Sequence, residues 1–198
     1  MESDQEVKLW RREQRARLIA ERMAARPRLR RQWGEAIDAR LDALMATLSG
    51  GVLGIYWPFK AEFDPRPLAE RWRAQSRETA LPVVVDRRGP LEYRLWQPGM
   101  EMEIGAYGIP VPKARQVAHP DVVLAPLVGF DPANYRLGYG GGYFDRTLAA
   151  LAPRPIAIGV GIEAARLDSV FPRPHDVPMD YIVTEAELRC RMPAGAQG

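Results

Sequence analysis

One glycine-rich stretch carries the residue types and spacing that point most directly to chemistry. Four glycines lie within positions 138–142, after an apolar run at 122–127 that predicts a buried strand and before a stretch at 143–151 that predicts a helix. Glycines permit positive φ and leave the backbone open, so N–H groups can converge on an anion at the positive end of the helix. Arg136 adds a planar cation, and Asp145 adds a carboxylate in the first helical turn that could hold a phosphate-bound metal. The stretch therefore predicts a phosphate site, with an ordinary strand-to-helix turn as the alternative.

Two well-known phosphate-loop patterns do not fit this stretch. Tyr143 stands where the dinucleotide pattern G-x-G-x-x-G requires its last glycine, and the sequence has no Gly-Lys pair for a Walker loop. The residues alone therefore leave both alternatives open.

The remainder of the chain predicts an α/β fold that would position this site. Helical patterns at 6–23 and 29–48 precede short apolar runs that alternate with further helical patterns. The predicted strands are 52–56, 81–85, 91–96, 122–127 and 156–161, and the later helices are 67–76 and 143–151. This order favours a mainly parallel sheet with helices on both faces and the site at the carboxyl ends of the strands. The Gly- and Pro-rich stretch 97–120 has few strand signals and is predicted to be a binding loop.

Composition limits the class of protein. The chain has 198 residues, 46% hydrophobic and 27% charged, which predicts one domain over 1–192 and a disordered tail at 193–198. No apolar run approaches the roughly 20 residues of a membrane span, and the charged N-terminus lacks the apolar stretch of a signal peptide. The single cysteine, Cys190, excludes an internal disulfide and disfavours a zinc cluster. We therefore expect a cytoplasmic protein without a membrane partner.

Basic residues crowd the first predicted helix. Lys8, Arg11, Arg12 and Arg15 recur at helical spacing and therefore share one face. Such a face could be solvated, could bind nucleic acid, or could supply a few contacts to a nucleotide's phosphates. Arginine outnumbers lysine 25 to 3 over the whole chain, so the many arginines of the first helix reflect the general composition of this sequence. A solvated face is therefore favoured.

Several separate motifs resemble one family. The stretch Arg136-Leu-Gly-Tyr-Gly-Gly-Gly-Tyr-Phe-Asp145-Arg146 resembles the signature of the 5-formyltetrahydrofolate cyclo-ligases, also called methenyltetrahydrofolate synthetases. Further resemblances, in the family's order, are Lys8 with Arg12, Tyr56-Trp57-Pro58 with Glu62 and 64–68, Gly108-Ile109-Pro110 with Pro112, and 175–180 with Thr184-Glu185. They extend from about residue 8 to about residue 188.

This resemblance implies a fold, a reaction and a set of site residues. The implied fold is a three-layer α/β/α sandwich, and the implied enzyme uses ATP and Mg²⁺ to convert 5-formyltetrahydrofolate to 5,10-methenyltetrahydrofolate, ADP and phosphate. Arg136 and Asp145 would be catalytic, and Asp145 with Asp176 would hold the metal. The implied ATP-binding residues are Lys8, Arg12, Arg136, Leu137, Gly138, Tyr139, Gly140, Gly141, Gly142, Tyr143 and Phe144. Trp57, Glu62, Tyr107 and Tyr139 would bind the folate, with Glu62 accepting two hydrogen bonds from its aminopyrimidine edge.

Two positions depart from the family's usual pattern. Arg11 stands where an apolar residue, commonly Leu, is usual, and Val111 stands where Glu or Gln usually precedes the proline. The alternative function is therefore a divergent paralogue that binds nucleotide or folate without this turnover. A third hypothesis is a nucleic-acid-binding module that works through the basic N-terminal helices. On the leading hypothesis we expect small-molecule substrates, a monomer and no nucleic-acid partner.

Overall fold

The structure is a computed structural model that describes residues 3–191. Its α-helices are α1 (Asp4–Ala24), α2 (Pro27–Met45), α3 (Arg66–Arg73) and α4 (Tyr143–Ala150). Helix α1 begins with a capping box, in which Ser3 and Glu6 each accept a hydrogen bond from the other's backbone N–H. Pro27 ends the run of helical hydrogen bonds and opens α2, because proline has no N–H to donate and is tolerated in a first turn. The four predicted helices are all present, with ends shifted by up to a few residues.

The strands form one large sheet and two small hairpins. They are β1 (Val52–Gly54), β2 (Glu78–Val83), β3 (Glu92–Leu95), β4 (Met102–Ile104), β5 (Pro110–Pro112), β6 (Val122–Pro126), β7 (Gly129–Phe130), β8 (Arg136–Leu137), β9 (Ile156–Val160), β10 (Tyr181–Val183) and β11 (Leu188–Cys190). The seven-stranded sheet has the order β11-β10-β9-β6-β1-β2-β3. Its five inner strands are parallel, and β3 and β11 are antiparallel strands at the two edges.

Helices cover both faces of this sheet. Along β6, Leu124 belongs to the core that includes Leu41 of α2 and Trp72 of α3. Its neighbour Val123 belongs to the opposite core, which includes Leu148 of α4. Successive strand residues point to opposite faces, so a strand with helices on both sides is apolar throughout, and all five residues of β6 are buried. The predicted three-layer α/β/α fold with a mainly parallel sheet is confirmed.

The prediction of a loop at 97–120 was wrong in one respect, because this stretch contains the antiparallel hairpin β4–β5. Pro110 and Pro112 weaken the strand signal because proline cannot donate to a sheet ladder. Both are tolerated here because the hairpin has only two strands, with Ile104 opposite Pro110 and Met102 opposite Pro112. The tip between these strands holds a short 3-10 turn, Ala106–Gly108.

The described residues include no helix that is long and apolar enough to cross a membrane. Residue 192 and the predicted tail at 193–198 lie outside the described residues. The single-domain boundary therefore stays a prediction.

Candidate active site

A cavity of about 610 Å³ opens at the carboxyl ends of β1, β2 and β6. Tyr56 and Trp57 follow β1, Val84 follows β2, and Pro126 ends β6. The opposite wall is formed by α1 side chains, the tip of the β4–β5 hairpin, the glycine-rich loop and the segment around residue 176. The sheet thus brings together segments that are more than 100 residues apart in sequence.

The glycine-rich loop, residues 138–142, joins β8 to α4 and lines the cavity. Gly140 and Gly142 have φ of +97° and +64°, a backbone region that side chains disfavour. Gly142 is the N-cap of α4, so the loop leads directly to the free N–H groups at that helix end. From α1, Arg15 donates its Nε–H to the Gly138 carbonyl at 2.7 Å. Two positive-φ glycines that lead into a helix N-terminus are compatible with a phosphate cradle, and phosphate binding stays a prediction.

Two carboxylates line the cavity beside this loop, and each is paired with an arginine. Asp145 Oδ2 lies 2.7 Å from Arg136 Nη2, and Asp176 Oδ2 lies 2.6 Å from Arg11 Nη2. Burial lowers the pKa of Arg136, and the charges of Asp145 and Asp176 oppose that shift. The arginine that the sequence presents as a departure, Arg11, therefore lies at the predicted metal position.

The two aspartates at this end of the cavity already accept several hydrogen bonds, so they suit a metal that brings most of its own ligands. Asp176 Oδ1 lies 3.8 Å from His175 Nε2, and Asp145 Oδ1 accepts a hydrogen bond of 3.2 Å from the Val177 N–H. Within residues 3–191 there is no group of three or more His, Cys, Asp or Glu side chains placed to hold a metal ion. One or two carboxylates with phosphate oxygens and waters are the usual Mg²⁺ environment, so Asp145 and Asp176 fit a magnesium ion that arrives with a nucleotide.

Glu62 lies across the cavity with its side chain only 4% exposed. Its Oε1 accepts a hydrogen bond from the Tyr139 hydroxyl at 2.6 Å, and its Oε2 accepts one from the Phe59 N–H at 2.8 Å. Burial raises the pKa of Glu62, while the Tyr139 hydrogen bond and the Arg22 charge oppose the rise. A carboxylate with two oxygens fixed in this way can still accept further hydrogen bonds from a ligand edge.

Aromatic side chains line two further parts of the cavity wall. Trp57 packs edge-to-face on Trp96 with ring centroids 6.2 Å apart. Tyr107, at the hairpin tip, is 68% exposed, and its hydroxyl lies 3.1 Å from that of Tyr143 at the start of α4. The hairpin therefore contacts the first turn of α4 across the cavity mouth.

Most predicted site residues line this one cavity. They are Trp57, Glu62, Tyr107, Arg136, Leu137, Gly138, Tyr139, Gly140, Gly141, Gly142, Tyr143, Phe144, Asp145 and Asp176. Lys8 and Arg12 are exposed and lie outside the cavity lining, with Lys8 paired to Asp4 at 3.3 Å. Arg11 and Arg15 are the basic residues of the same helix that reach the cavity. The roles predicted for Lys8 and Arg12 stay predictions, and the structure brings neither to the cavity wall.

Sequence reasoning did not single out Arg22 among the basic residues of the first helix. Arg22 is 6% exposed, and its guanidinium contacts Tyr139 and lies 3.7 Å from Glu62 Oε1. A signal was present, because Arg15, Leu18 and Arg22 are spaced by three and four residues and Leu18 is apolar. Arg22 therefore shares the buried face of α1.

Comparison with known proteins agrees with this geometry. A sequence model described as the 5-formyltetrahydrofolate cyclo-ligase family matches residues 7–185. The chain belongs to this family. A 5-formyltetrahydrofolate cyclo-ligase of Mycolicibacterium smegmatis is 30% identical over 178 residues, which cover 86% of this chain and 91% of the relative. One of Escherichia coli is 28% identical over 175 residues, which cover 84% of this chain and 96% of the relative.

Solved structures give the same result. The chain superposes on a 5,10-methenyltetrahydrofolate synthetase of Aquifex aeolicus with a TM-score of 0.78 and 27% identity, over 91% of this chain and 92% of the other. A 5,10-methenyltetrahydrofolate synthetase structure from Mycoplasma pneumoniae, 23% identical with a TM-score of 0.71, shares the fold over 88% of this chain and 98% of the other. The predicted family membership, and with it the prediction of a ligase, is confirmed.

Proposed function

We propose that this protein uses ATP and Mg²⁺ to convert 5-formyltetrahydrofolate to 5,10-methenyltetrahydrofolate, with release of ADP and phosphate. The observation that carries the proposal is that the glycine-rich loop and Glu62 line the same 610 Å³ cavity. The loop that we assign to the phosphates and the carboxylate that we assign to the pterin edge thus share one space of the size that small-molecule sites have. The names of the relatives with 27–30% identity support the same substrate.

The chemistry requires both halves of the cavity. The formyl oxygen on N5 is a poor leaving group, so the γ-phosphoryl of ATP is first transferred to it, and ADP is released. N10 then attacks the formyl carbon and loses its proton, the C–O bond breaks, phosphate leaves, and the new C–N bond closes the ring. The protein must therefore hold the triphosphate and the formyl group in line with each other.

Each side chain has a specific task in this proposal. The backbone N–H groups of 138–142 cradle the phosphates, and Arg136 compensates the charge on the phosphoryl group as it moves. Glu62 accepts hydrogen bonds from the aminopyrimidine edge of the pterin and fixes its orientation. Trp57 and Tyr107 supply apolar surface to the cavity wall. Asp145 and Asp176 hold the Mg²⁺ that, when bound, neutralises phosphate charge.

A direct assay tests the proposal. Purified protein is mixed with 5-formyltetrahydrofolate, ATP and MgCl₂, and the near-ultraviolet absorbance of the methenyl product is followed. Controls omit ATP, replace it with a non-hydrolysable analogue, or add EDTA. We expect product only in the complete mixture, with one ADP per product. Binding of both ligands without any absorbance change would instead indicate the divergent paralogue.

A further inference from the structure

Arg22 is a buried arginine that joins four separate segments of the fold. From α1 it donates its Nε–H to the Lys60 carbonyl at 3.0 Å, in the segment that carries Glu62. Its Nη1 donates to the Leu127 carbonyl at 3.1 Å, directly after β6. Its Nη2 donates to the Tyr139 hydroxyl at 2.8 Å, inside the glycine-rich loop. One planar guanidinium with its donors in a fixed fork thus sets the relative position of these segments.

Tyr139 connects this guanidinium to Glu62. Its hydroxyl accepts from Arg22 and donates to Glu62 Oε1 at 2.6 Å. Arg22 and Glu62 have side chains that are 7% and 4% exposed, so the chain of hydrogen bonds lies in a region of low dielectric where each bond is strong. The backbone of Tyr139, meanwhile, lies between Gly138 and Gly140, at the predicted phosphate cradle.

We propose that Arg22 is a positioning residue that, through Tyr139, couples nucleotide binding at the glycine-rich loop to folate binding at Glu62. This inference rests on the proposed function, because it assumes that these two ligands share the cavity. In this proposal Arg22 contacts neither reacting group. It fixes the Tyr139 side chain, which connects the glycine-rich loop to Glu62.

The physical basis of this coupling is that both ligands depend on the same ordering of the glycine-rich loop. A loop with four glycines in five positions is free to take many conformations, and holding it in one costs conformational entropy. A nucleotide that orders the loop also fixes the Tyr139 hydroxyl against Glu62, so the folate meets an acid that is already oriented. Because the first ligand has already ordered the loop, the second ligand binds with a smaller loss of conformational entropy. This gives positive cooperativity, and each ligand raises the affinity for the other by the same factor.

The test is the ratio of two dissociation constants. Calorimetry gives the Kd of 5-formyltetrahydrofolate without nucleotide and with a saturating non-hydrolysable ATP analogue and Mg²⁺. For the unaltered protein we expect the nucleotide to tighten folate binding about fivefold or more, the usual range of such coupling. In Tyr139→Phe, which removes one hydroxyl and keeps the ring, the ratio falls to about one. Arg22→Gln gives the same loss.

Two further measurements separate positioning from a purely structural role. Arg17→Gln is the matched control, because Arg17 lies on the same helix and, among the residues that the structure describes, pairs only with Gln14 and Glu21 at the surface; it should keep the full ratio. If Arg22→Gln does not fold, Tyr139→Phe decides the matter alone. Weaker affinities with an unchanged ratio would show that Arg22 only stabilises the fold, and a ratio of one in the unaltered protein would also overturn the coupling. Failure of the unaltered protein to bind either ligand would overturn the proposed function itself.

Discussion

The two aspartates at the predicted metal position differ in how their oxygens are used. Asp176 Oδ2 accepts from both Arg11 and the Arg173 N–H, whereas Asp145 uses one oxygen for Arg136 and the other for the Val177 N–H. An asparagine has one acceptor oxygen. It can therefore keep both hydrogen bonds made at Asp176, although not the charge that pairs with Arg11, but it must leave one donor unpaired at position 145.

The first prediction follows from this difference. Asp176→Asn should keep the melting temperature within a few degrees and lower kcat about 100-fold or more, because phosphoryl charge is then poorly compensated. Asp145→Asn should lower kcat similarly and also lower the melting temperature. Steady-state kinetics, thermal melts and Mg²⁺ titrations of ATP affinity measure these effects. Asp168→Asn, at an exposed residue outside the cavity, is the control, and normal turnover in Asp176→Asn would remove that residue from the site.

The second prediction concerns the pH dependence of folate binding. The charged and titratable groups that act on Glu62 are Arg22, Tyr139, Lys60 and Tyr56, and burial raises its pKa above the ordinary 4.5. Since the pterin edge requires an acceptor at both oxygens, the affinity for 5-formyltetrahydrofolate should fall as the pH drops through this raised pKa. In Glu62→Gln, affinity should be lower at neutral pH and should lose this acid limb, while ATP affinity stays unchanged. Calorimetric titrations from pH 5 to pH 8 measure the affinity of both proteins for 5-formyltetrahydrofolate. The same loss of affinity at acid pH in the variant would assign the titration to another group.

At the scale of elements, the glycine-rich loop allows a test with a closely matched control. Gly140 and Gly99 have φ of +97° and +87°, and an added Cβ would meet only the Arg15 guanidinium at 3.4 Å or nothing within 4 Å, respectively. The third prediction is that Gly140→Ala and Gly99→Ala each lose about 1–2 kcal/mol of stability from backbone strain. Only Gly140→Ala should also lose nucleotide affinity. Melts with and without Mg-ATP measure both effects, because a ligand that binds the native state alone raises the melting temperature. If Gly140→Ala kept the full ATP-induced rise in melting temperature, the loop would be shown to be an ordinary turn.

Elements within a long apolar or repeating pattern were predictable, and most strands of two or three residues were not. The apolar stripe of α2 and the continuous apolar run of β6 give signals over many residues. By contrast β7, β8, β10 and β11 have two or three residues each, too few for a periodicity to be seen. The β4–β5 hairpin was hidden by its prolines, although its tip forms part of the cavity wall.

For the whole molecule, most of the cavity lining could be predicted from motifs, because the order of α/β elements places strand ends together. What could not be predicted was which basic residues of α1 point inward. That choice depends on how the helix is rotated against the sheet, and the spacing of Arg15, Leu18 and Arg22 gives only a weak local signal of it. As a result, Arg11 and Arg15 line the cavity where Lys8 and Arg12 were expected, and Arg22 contacts Tyr139 in the cavity wall.

The rotation of α1 against the sheet also determines which groups its positively charged side chains contact. Lys8 pairs with Asp4, Arg11 with Asp176 and Arg17 with Glu21, while Arg15 and Arg22 donate to groups at the cavity wall. Within residues 3–191, Arg12 is the one cation of α1 without a hydrogen-bond or ion-pair partner, so this helix has few cations left to release counterions from a nucleic acid backbone.

The fourth prediction is therefore that a random duplex oligonucleotide will bind with a Kd weaker than about 100 µM at 150 mM salt, the weak end of non-specific binding. Fluorescence anisotropy with a labelled 20-mer measures this, and the same preparation should show a melting-temperature shift with Mg-ATP. Lowering the salt to 50 mM tests the electrostatic origin of any residual signal. Tight binding with a steep salt slope, unaffected by saturating ATP and 5-formyltetrahydrofolate, would show that the arginines form a separate nucleic-acid surface. Loss of that binding on adding either ligand would instead place it in the cavity, where the phosphate cradle accepts a polyanion in place of the nucleotide.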